Sequence, residues 1–184
     1  FEYARAGQYW DARGGYLFTG ADAQSFLRDG LLTSAFCASL SPSCIDLDTD
    51  NWIEDLETPL LIAASDSMAR AQQERIVHFL RDGGKALIAP VLPYLDERLA
   101  PCTVLADFVG SPAWRRCNED VIRVMIQDAH RSIPNVLKNQ VFIAETIPEG
   151  AEVCGFDERT GIPLAWQVDT PGGGSLLVLG LAWD

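Results

Sequence analysis

The stretch from Pro59 to Pro90, PLLIAASDSMARAQQERIVHFLRDGGKALIAP, decides the fold predicted for this chain of 184 residues. It opens with the wholly apolar run Leu60–Ala64, which is typical of a strand that is covered on both faces. A glycine pair closes the middle segment, and Lys85–Ala89 forms a second apolar run. The order strand, helix, strand predicts a right-handed crossover between two parallel strands.

The middle segment is predicted to be an amphipathic helix. Its apolar face is formed by residues at helical spacing: Ala69, Gln73, Ile76 and Leu80. Asp66 or Ser67 is expected to cap the helix, because a side-chain oxygen there can accept a bond from a free backbone N–H. Gly83–Gly84 is expected to end it, since glycine adopts the left-handed conformation found at helix ends.

Composition limits the function classes. With 48% hydrophobic residues the chain has enough apolar surface for a folded core. The formal net charge of -12 argues against nucleic acid or an anionic membrane as a partner, since phosphates would be repelled. The five cysteines contain no CxxC pair, which favours reduced thiols, mostly in the core, and a cytoplasmic setting.

The predicted organisation is a linker over residues 1–14 followed by a single domain over residues 15–184. Because the chain begins at Phe1, we expect a fragment of a longer enzyme. Further elements are predicted at helical or strand spacing: strands at Gly15–Thr19 and Cys44–Leu47, a helix over Asp22–Leu40, a short helix within Val91–Ala100, a helix over Asn118–Arg131 and a connector over Pro134–Gln140.

The tail is predicted to be rich in strands. Turn residues separate four short apolar runs, which indicates antiparallel or mixed edge strands: Val141–Ala144, Glu152–Phe156, Ile162–Val168 and Ser175–Leu181. The predicted fold class is α/β, a flavodoxin-like doubly wound and mostly parallel sheet with helices on both faces and a β-rich C-terminal end.

Residue patterns that could indicate a catalytic or metal site have simpler structural interpretations. An EF-hand-like spacing of acids is interrupted by Asn51 at the glycine position and lies between two prolines, so an acidic loop is preferred and no metal is predicted. The acids concerned are Asp46, Asp48, Asp50 and Glu57. His78 and His130 each lie near a predicted helix end, where a solvated role is expected, although a hidden Cys–His pair stays open. Gly172–Gly174 is interpreted as a hairpin turn, and burial is favoured for the five tryptophans.

The sequence from Leu60 to Pro90 and the tail IPEGAEVCGFDERTGIPLAWQVDTPGGGSLLVLG resemble the class I glutamine amidotransferase-like domain of β-galactosidase-like glycoside hydrolases of families 35 and 42. The resemblance in the tail rests on Gly150, Ala151, Val153, Thr160, Gly161, Pro163, Gly174 and Gly180. It implies a noncatalytic domain that serves oligomerisation or shapes the substrate cleft. The implied partners are an upstream catalytic (β/α)8 barrel domain and other protomers, in a parent enzyme that hydrolyses terminal β-galactosides.

Active amidotransferases carry a nucleophilic cysteine after the strand that corresponds to Lys85–Ala89. This chain has Pro90–Pro93 there, so no catalytic residue is predicted. The alternative is a free-standing module that binds a sugar or nucleotide. Doubly wound sheets bind ligands at the carboxyl ends of their strands, which makes Ser65, Asp66, Val91 and Leu92 the candidate ligand-binding residues. No cofactor is predicted.

Overall fold

The computed structural model describes residues 17–48, 52–117, 122–126, 131–135 and 141–183. The predicted linker over residues 1–14 lies outside these ranges. Among the residues described, no helix combines the length and the apolar character that crossing a bilayer requires.

A mixed sheet of seven strands forms the centre of the domain, in the order β1-β2-β9-β8-β7-β4-β5, and β3 pairs with β6 in a separate two-stranded sheet. The strands are β1 Leu60–Ala63, β2 Lys85–Ala89, β3 Trp114–Cys117, β4 Ile122–Ile126, β5 Arg131–Asn135, β6 Val141–Ala144, β7 Glu152–Asp157, β8 Pro163–Asp169 and β9 Ser175–Leu179. A continuous N-terminal helix contains α1 Gly20–Ser25, a π-helical segment Phe26–Leu32 and α2 Thr33–Cys37, while α3 is Arg70–Arg81, α4 is Val104–Val109 and Trp52–Glu54 is a 3-10 turn.

The predicted crossover is present. The strands β1 and β2 are parallel, with Leu60 opposite Ala86, and α3 connects them. The predicted cap was wrong: α3 begins at Arg70, after Ala69, without a side-chain cap. Asp66 and Ser67 are engaged elsewhere, because the Asp66 carboxylate accepts a hydrogen bond from the Phe18 N–H and Ser67 forms an isolated bridge with Leu95.

The predicted doubly wound, mostly parallel sheet with helices on both faces was wrong. Only β1, β2 and β9 pair in parallel, and every other pairing in the seven-stranded sheet is antiparallel. Parallel neighbours need a long crossover, whereas short turns join β7 to β8 and β8 to β9. The tail strands β7, β8 and β9 therefore add to the sheet as hairpins, in agreement with the antiparallel or mixed pairing predicted for the tail. The predicted edge position was wrong, because these three strands lie inside the sheet and β6 pairs with β3 in the separate sheet.

The helix predicted over Asn118–Arg131 was also wrong in the part that the structure describes. Ile122–Ile126 and Arg131–Asn135 are antiparallel strands, and β4 also pairs with β7. Alternating Ile122, Val124 and Ile126 satisfy the period of a strand, and β-branched residues suit a pleated surface. Pro134 lies in β5, which is at the edge of the sheet, where a missing N–H is tolerated.

The N-terminal half differs from expectation in its strands. Residues 17–19 form no strand, while residues 15 and 16 lie outside the described ranges, and Cys44–Leu47 is largely exposed loop. The helix predicted over Asp22–Leu40 is confirmed as the segment from Gly20 to Cys37, which Thr19 caps. No helix forms within Val91–Ala100, and the short helix α4 was not predicted.

The C-terminal segment packs across the N-terminal helix. The rings of Phe26 and Trp183 meet edge to face at 4.9 Å, and the Trp183 Nε1–H donates to the Ser34 Oγ at 2.9 Å. A Cβ atom at Gly30 would lie 2.2 Å from the Trp183 carbonyl oxygen. Glycine is therefore required at this position for the two ends of the described chain to meet.

Candidate functional site

A cleft of about 420 Å³ lies where β1 ends, between this strand and the N-terminal helix. Its lining combines apolar side chains with hydroxyl and amide groups, chiefly Gln24, Leu27, Leu47, Ser65, Met68 and Gln72. The carboxyl end of a strand in a parallel part of a sheet is where ligands bind in α/β folds. The cleft is therefore the candidate site of this domain.

Ser65 is the predicted site residue that lines the cleft. It is buried, and its hydroxyl donates to the Ser67 backbone carbonyl at 2.5 Å. A hydroxyl that donates one hydrogen bond still has an oxygen that can accept another from a ligand. Because the hydroxyl donates to a carbonyl and not to a base, the contact does not activate the oxygen as a nucleophile.

Asp66, the residue after Ser65, holds separate segments of the chain together. Its Oδ2 accepts from the Phe18 N–H at 2.5 Å, and its own N–H donates to the Phe18 carbonyl at 2.9 Å. Its carbonyl accepts from the N–H groups of Tyr94 and Leu95, each at 3.1 Å. These contacts fix the entry to the N-terminal helix and the loop after β2.

Val91 and Leu92 are completely buried in the core and do not line the cleft. The structure thus places all four predicted residues after the ends of neighbouring strands but brings only Ser65 to the cleft. Binding of a ligand by these four residues stays a prediction. No sequence pattern indicated Gln24 and Leu27, which reach the cleft because the N-terminal helix packs beside β1.

The acidic loop is tied to α3 beside the cleft. The Gln72 Nε2 donates to the Asp48 Oδ1 at 2.9 Å, and an Arg75 N–H donates to the Asp48 carbonyl at 2.7 Å. The Arg75 guanidinium also lies over the Trp52 ring, 5.3 Å from its centroid. Asp50 lies outside the described residues, and within the described ranges no three His, Cys, Asp or Glu side chains are grouped to hold a metal.

The thiols and the imidazole that the structure describes lie on different elements of the fold. Cys37 and Cys44 are exposed, so the prediction of a core position was wrong for these two, whereas Cys102 is buried. His78 is exposed and its Nδ1 lies 2.8 Å from the Asp82 Oδ2, consistent with the solvated role predicted for it. His130 lies outside the residues that the structure describes. Burial was correctly predicted for Trp52, Trp114 and Trp166.

Surface contacts shift the pKa of a few charged groups. Hydrogen bonding from Thr58 lowers the pKa of Asp55, and hydrogen bonding from Arg28 lowers the pKa of Asp29. Both carboxyls therefore stay ionised at neutral pH, which makes them poor proton donors. Neither residue lines the cleft.

Replacing Asp66 by alanine is expected to destabilise the domain by about 1–3 kcal/mol, because the buried Phe18 N–H loses an acceptor. Urea unfolding followed by circular dichroism measures the change. Asp66→Asn is the matched control, since its amide oxygen can still accept the bond and should retain most of the stability. Equal stability of the alanine variant and the wild type would contradict the role given to this carboxylate.

Comparison with known proteins adds the family context. The model of a family described as "GLMA-like, second domain" matches residues 12–149. An exo-beta-D-glucosaminidase of Pyrococcus horikoshii is 30% identical over 155 residues, which are 82% of this chain and 19% of that protein. The chain thus spans about a fifth of the length of the curated relatives it matches.

Solved structures share the fold at low sequence identity. A GH42 beta-galactosidase from G. stearothermophilus has a TM-score of 0.50 and 18% identity, covering 68% of this chain and 18% of that chain. The exo-beta-1,4-mannosidase Op5Man5 from Opitutaceae bacterium strain TAV5 has a TM-score of 0.53 and 13% identity, covering 87% and 25%. At such identities the likeness shows the fold alone.

Proposed function

The chain belongs to the GLMA-like second-domain family, and from this membership we propose that it is a noncatalytic accessory domain of a larger glycoside hydrolase. The membership confirms the sequence-based identification of a domain from β-galactosidase-like enzymes. The observation that carries the proposal is how little of the related enzyme the alignment covers. The alignment covers 82% of this chain but only 19% of the Pyrococcus horikoshii exo-beta-D-glucosaminidase, so most of that protein lies outside the region similar to this chain.

The residues at the expected nucleophile position and the described hydroxyl and imidazole candidates support a noncatalytic role. The positions after β2, where the resemblance would place an amidotransferase nucleophile, hold the buried aliphatic residues Val91 and Leu92. The Ser65 hydroxyl donates to a carbonyl, and His78 faces Asp82 at the surface. Nucleophilic catalysis needs an adjacent base or another activating group, and these contacts provide neither.

We assign the domain to oligomerisation or to shaping of the substrate cleft, with an upstream (β/α)8 barrel domain and other protomers as its partners. The parent enzyme would cleave a terminal β-linked sugar through two carboxylates that lie outside this chain. Between the two substrates suggested by the related proteins, we favour a β-D-glucosaminide over a β-galactoside. The glucosaminidase is 30% identical to this chain, whereas the galactosidase is 18% identical.

Assays of the parent enzyme and of this chain alone test the proposal with chromogenic β-D-glucosaminide and β-D-galactoside. The chain alone should release no chromophore above a heat-denatured control. The parent should prefer the glucosaminide by roughly 10-fold or more in kcat/KM, since a site built to hydrogen-bond an amine rejects analogues that lack it. Turnover of either substrate by the chain alone would contradict the noncatalytic role, and a preference for the galactoside would contradict the substrate.

A free-standing module that binds a sugar or nucleotide is the second candidate, favoured by the cleft and its Ser65, Gln24 and Gln72 side chains. Calorimetric titration with glucosamine, galactose and AMP distinguishes the two. Saturable heat that is lost in a Ser65→Ala variant would support this candidate. The absence of heat with all three compounds would remove it.

A further inference from the structure

An exposed apolar loop, Phe36–Ile45 with the sequence FCASLSPSCI, begins with the last two residues of the N-terminal helix and continues beyond it. Phe36, Leu40 and Ile45 are 62%, 60% and 41% exposed, and they are three of the four large apolar side chains that stand out as exposed among the described residues. The ten residues carry no charge, although charged residues make up 22% of the chain. Exposed apolar patches mark interaction sites, and charges are depleted at the centre of interfaces.

Hydrogen bonds fix the shape of the apolar loop where it leaves the helix. The Ser39 N–H donates to the Phe36 carbonyl and the Leu40 N–H donates to the Ala35 carbonyl, each at 2.9 Å. Ser39 has a φ of 61°, a left-handed conformation that residues other than glycine seldom adopt. The backbone therefore holds Leu40 in a defined outward position instead of returning it to the core.

We propose that the apolar loop docks against the domain that precedes this one in the same polypeptide. This inference rests on the proposed function. The family is that of a second domain, so its members carry a first one, and most of the length of the related glucosaminidase lies outside the aligned region. The partner surface should be apolar with a neutral or basic rim, because the exposed Asp46 and Asp48 follow the loop directly.

The net charge argues against a second copy of this chain as the partner of the apolar loop. The chain carries a net charge of -12, and two apolar loops facing each other would bring their Asp46 and Asp48 side chains together. Repulsion between like charges opposes such association. Docking of a neighbouring domain does not bring two acidic loops together. Because that domain belongs to the same polypeptide, its effective concentration at the apolar loop is high.

Cys37 and Cys44 lie within the apolar loop and are exposed, so they report directly on whether it is covered. In the full-length parent enzyme, we expect iodoacetamide to modify both thiols at least about tenfold more slowly in the native protein than in urea, as judged by peptide mass spectrometry. Leu40→Asp should raise both native rates by about tenfold, because it places a charge in the docked surface. Ile45→Asp should act in the same way.

Leu99→Asp is the matched control, since Leu99 is 43% exposed and lies outside the apolar loop. It should leave the labelling rates unchanged. Equal rates for both thiols in native and unfolded parent enzyme would overturn the proposal, as would protection that persists in both aspartate variants. Protection that disappears on dilution would also overturn it, because a second copy would then be the occupant. Glycosidase activity is measured separately, so failure of the docking surface is distinguishable from failure of the proposed function.

Discussion

Replacing Gly172 by alanine is expected to lower the free energy of unfolding of the domain by about 4 kcal/mol or more, because the new Cβ overlaps a helix backbone. The Cβ atom would lie 1.6 Å from the Arg81 carbonyl oxygen and 2.5 Å from the Arg81 carbonyl carbon. The helix end cannot move away cheaply, since Phe79 and Leu80 are completely buried beside it. Urea unfolding monitored by tryptophan fluorescence measures the loss.

Gly173→Ala provides the control in the same turn. Gly173 has a φ of 81° but an added Cβ would meet no atom within 4 Å, so only the backbone conformation is penalised. A loss of about 1 kcal/mol is expected. If the two alanine variants unfold at the same urea concentration, the close approach to α3 does not determine the requirement for glycine.

The glycine turn matters because it closes the C-terminal end of α3. The Thr170 Oγ1–H donates to the Leu80 carbonyl at 2.6 Å, and the Ser175 N–H donates to the Gly84 carbonyl at 3.2 Å. Carbonyls in the last turn of a helix have no partner within the helix, so the turn between β8 and β9 satisfies one of them. The hairpin predicted at Gly172–Gly174 is confirmed and also has this packing role.

Gln73→Leu is expected to destabilise the domain by about 3–5 kcal/mol, because several buried backbone groups lose a partner at once. Gln73 is completely buried. Its Nε2 donates to the carbonyls of Met68 at 3.0 Å and Cys102 at 3.3 Å, and its Oε1 accepts from the Leu105 N–H at 3.3 Å. One amide thus joins α3 to the loop after β2 and to the first turn of α4.

Gln72→Leu is the matched control, one residue earlier on the same helix. Gln72 is half-buried, and its side chain bonds the exposed Asp48. Loss of an exposed hydrogen bond should change the unfolding free energy by less than about 1 kcal/mol. Chemical denaturation of both variants checks the difference, and a Gln73→Leu variant as stable as Gln72→Leu would show that the buried amide is dispensable.

Local patterns predicted the crossover correctly. Lys85–Ala89 has the predicted bounds, because a glycine pair and a proline enclose five residues that can form only a short strand. Gln73 was placed on the buried face of the helix by its spacing alone, which the structure confirms. Such features depend on neighbouring residues and can be derived from a single sequence.

The fold class could not be derived in this way. Ile122 and Ile126 are spaced as on a helix and equally as on alternate positions of a strand, and pairing of β4 with β7 and β5 selects the strand. The direction of pairing likewise depends on distant segments. Ser65 was found from its position at a strand end, whereas Gln24 reaches the same cleft only through packing of a helix that lies far away in sequence.

Gly30 and its contact with Trp183 have a consequence for synthesis of the protein. The Trp183 indole and the Ser34 hydroxyl that it meets are 149 residues apart in the chain. The N-terminal helix leaves the ribosome on the order of 10 s before the residues that cover Phe26 are translated, at typical elongation rates. The part of its apolar face that Trp183 covers therefore stays exposed in the nascent chain for that time, which favours binding of a chaperone to this helix.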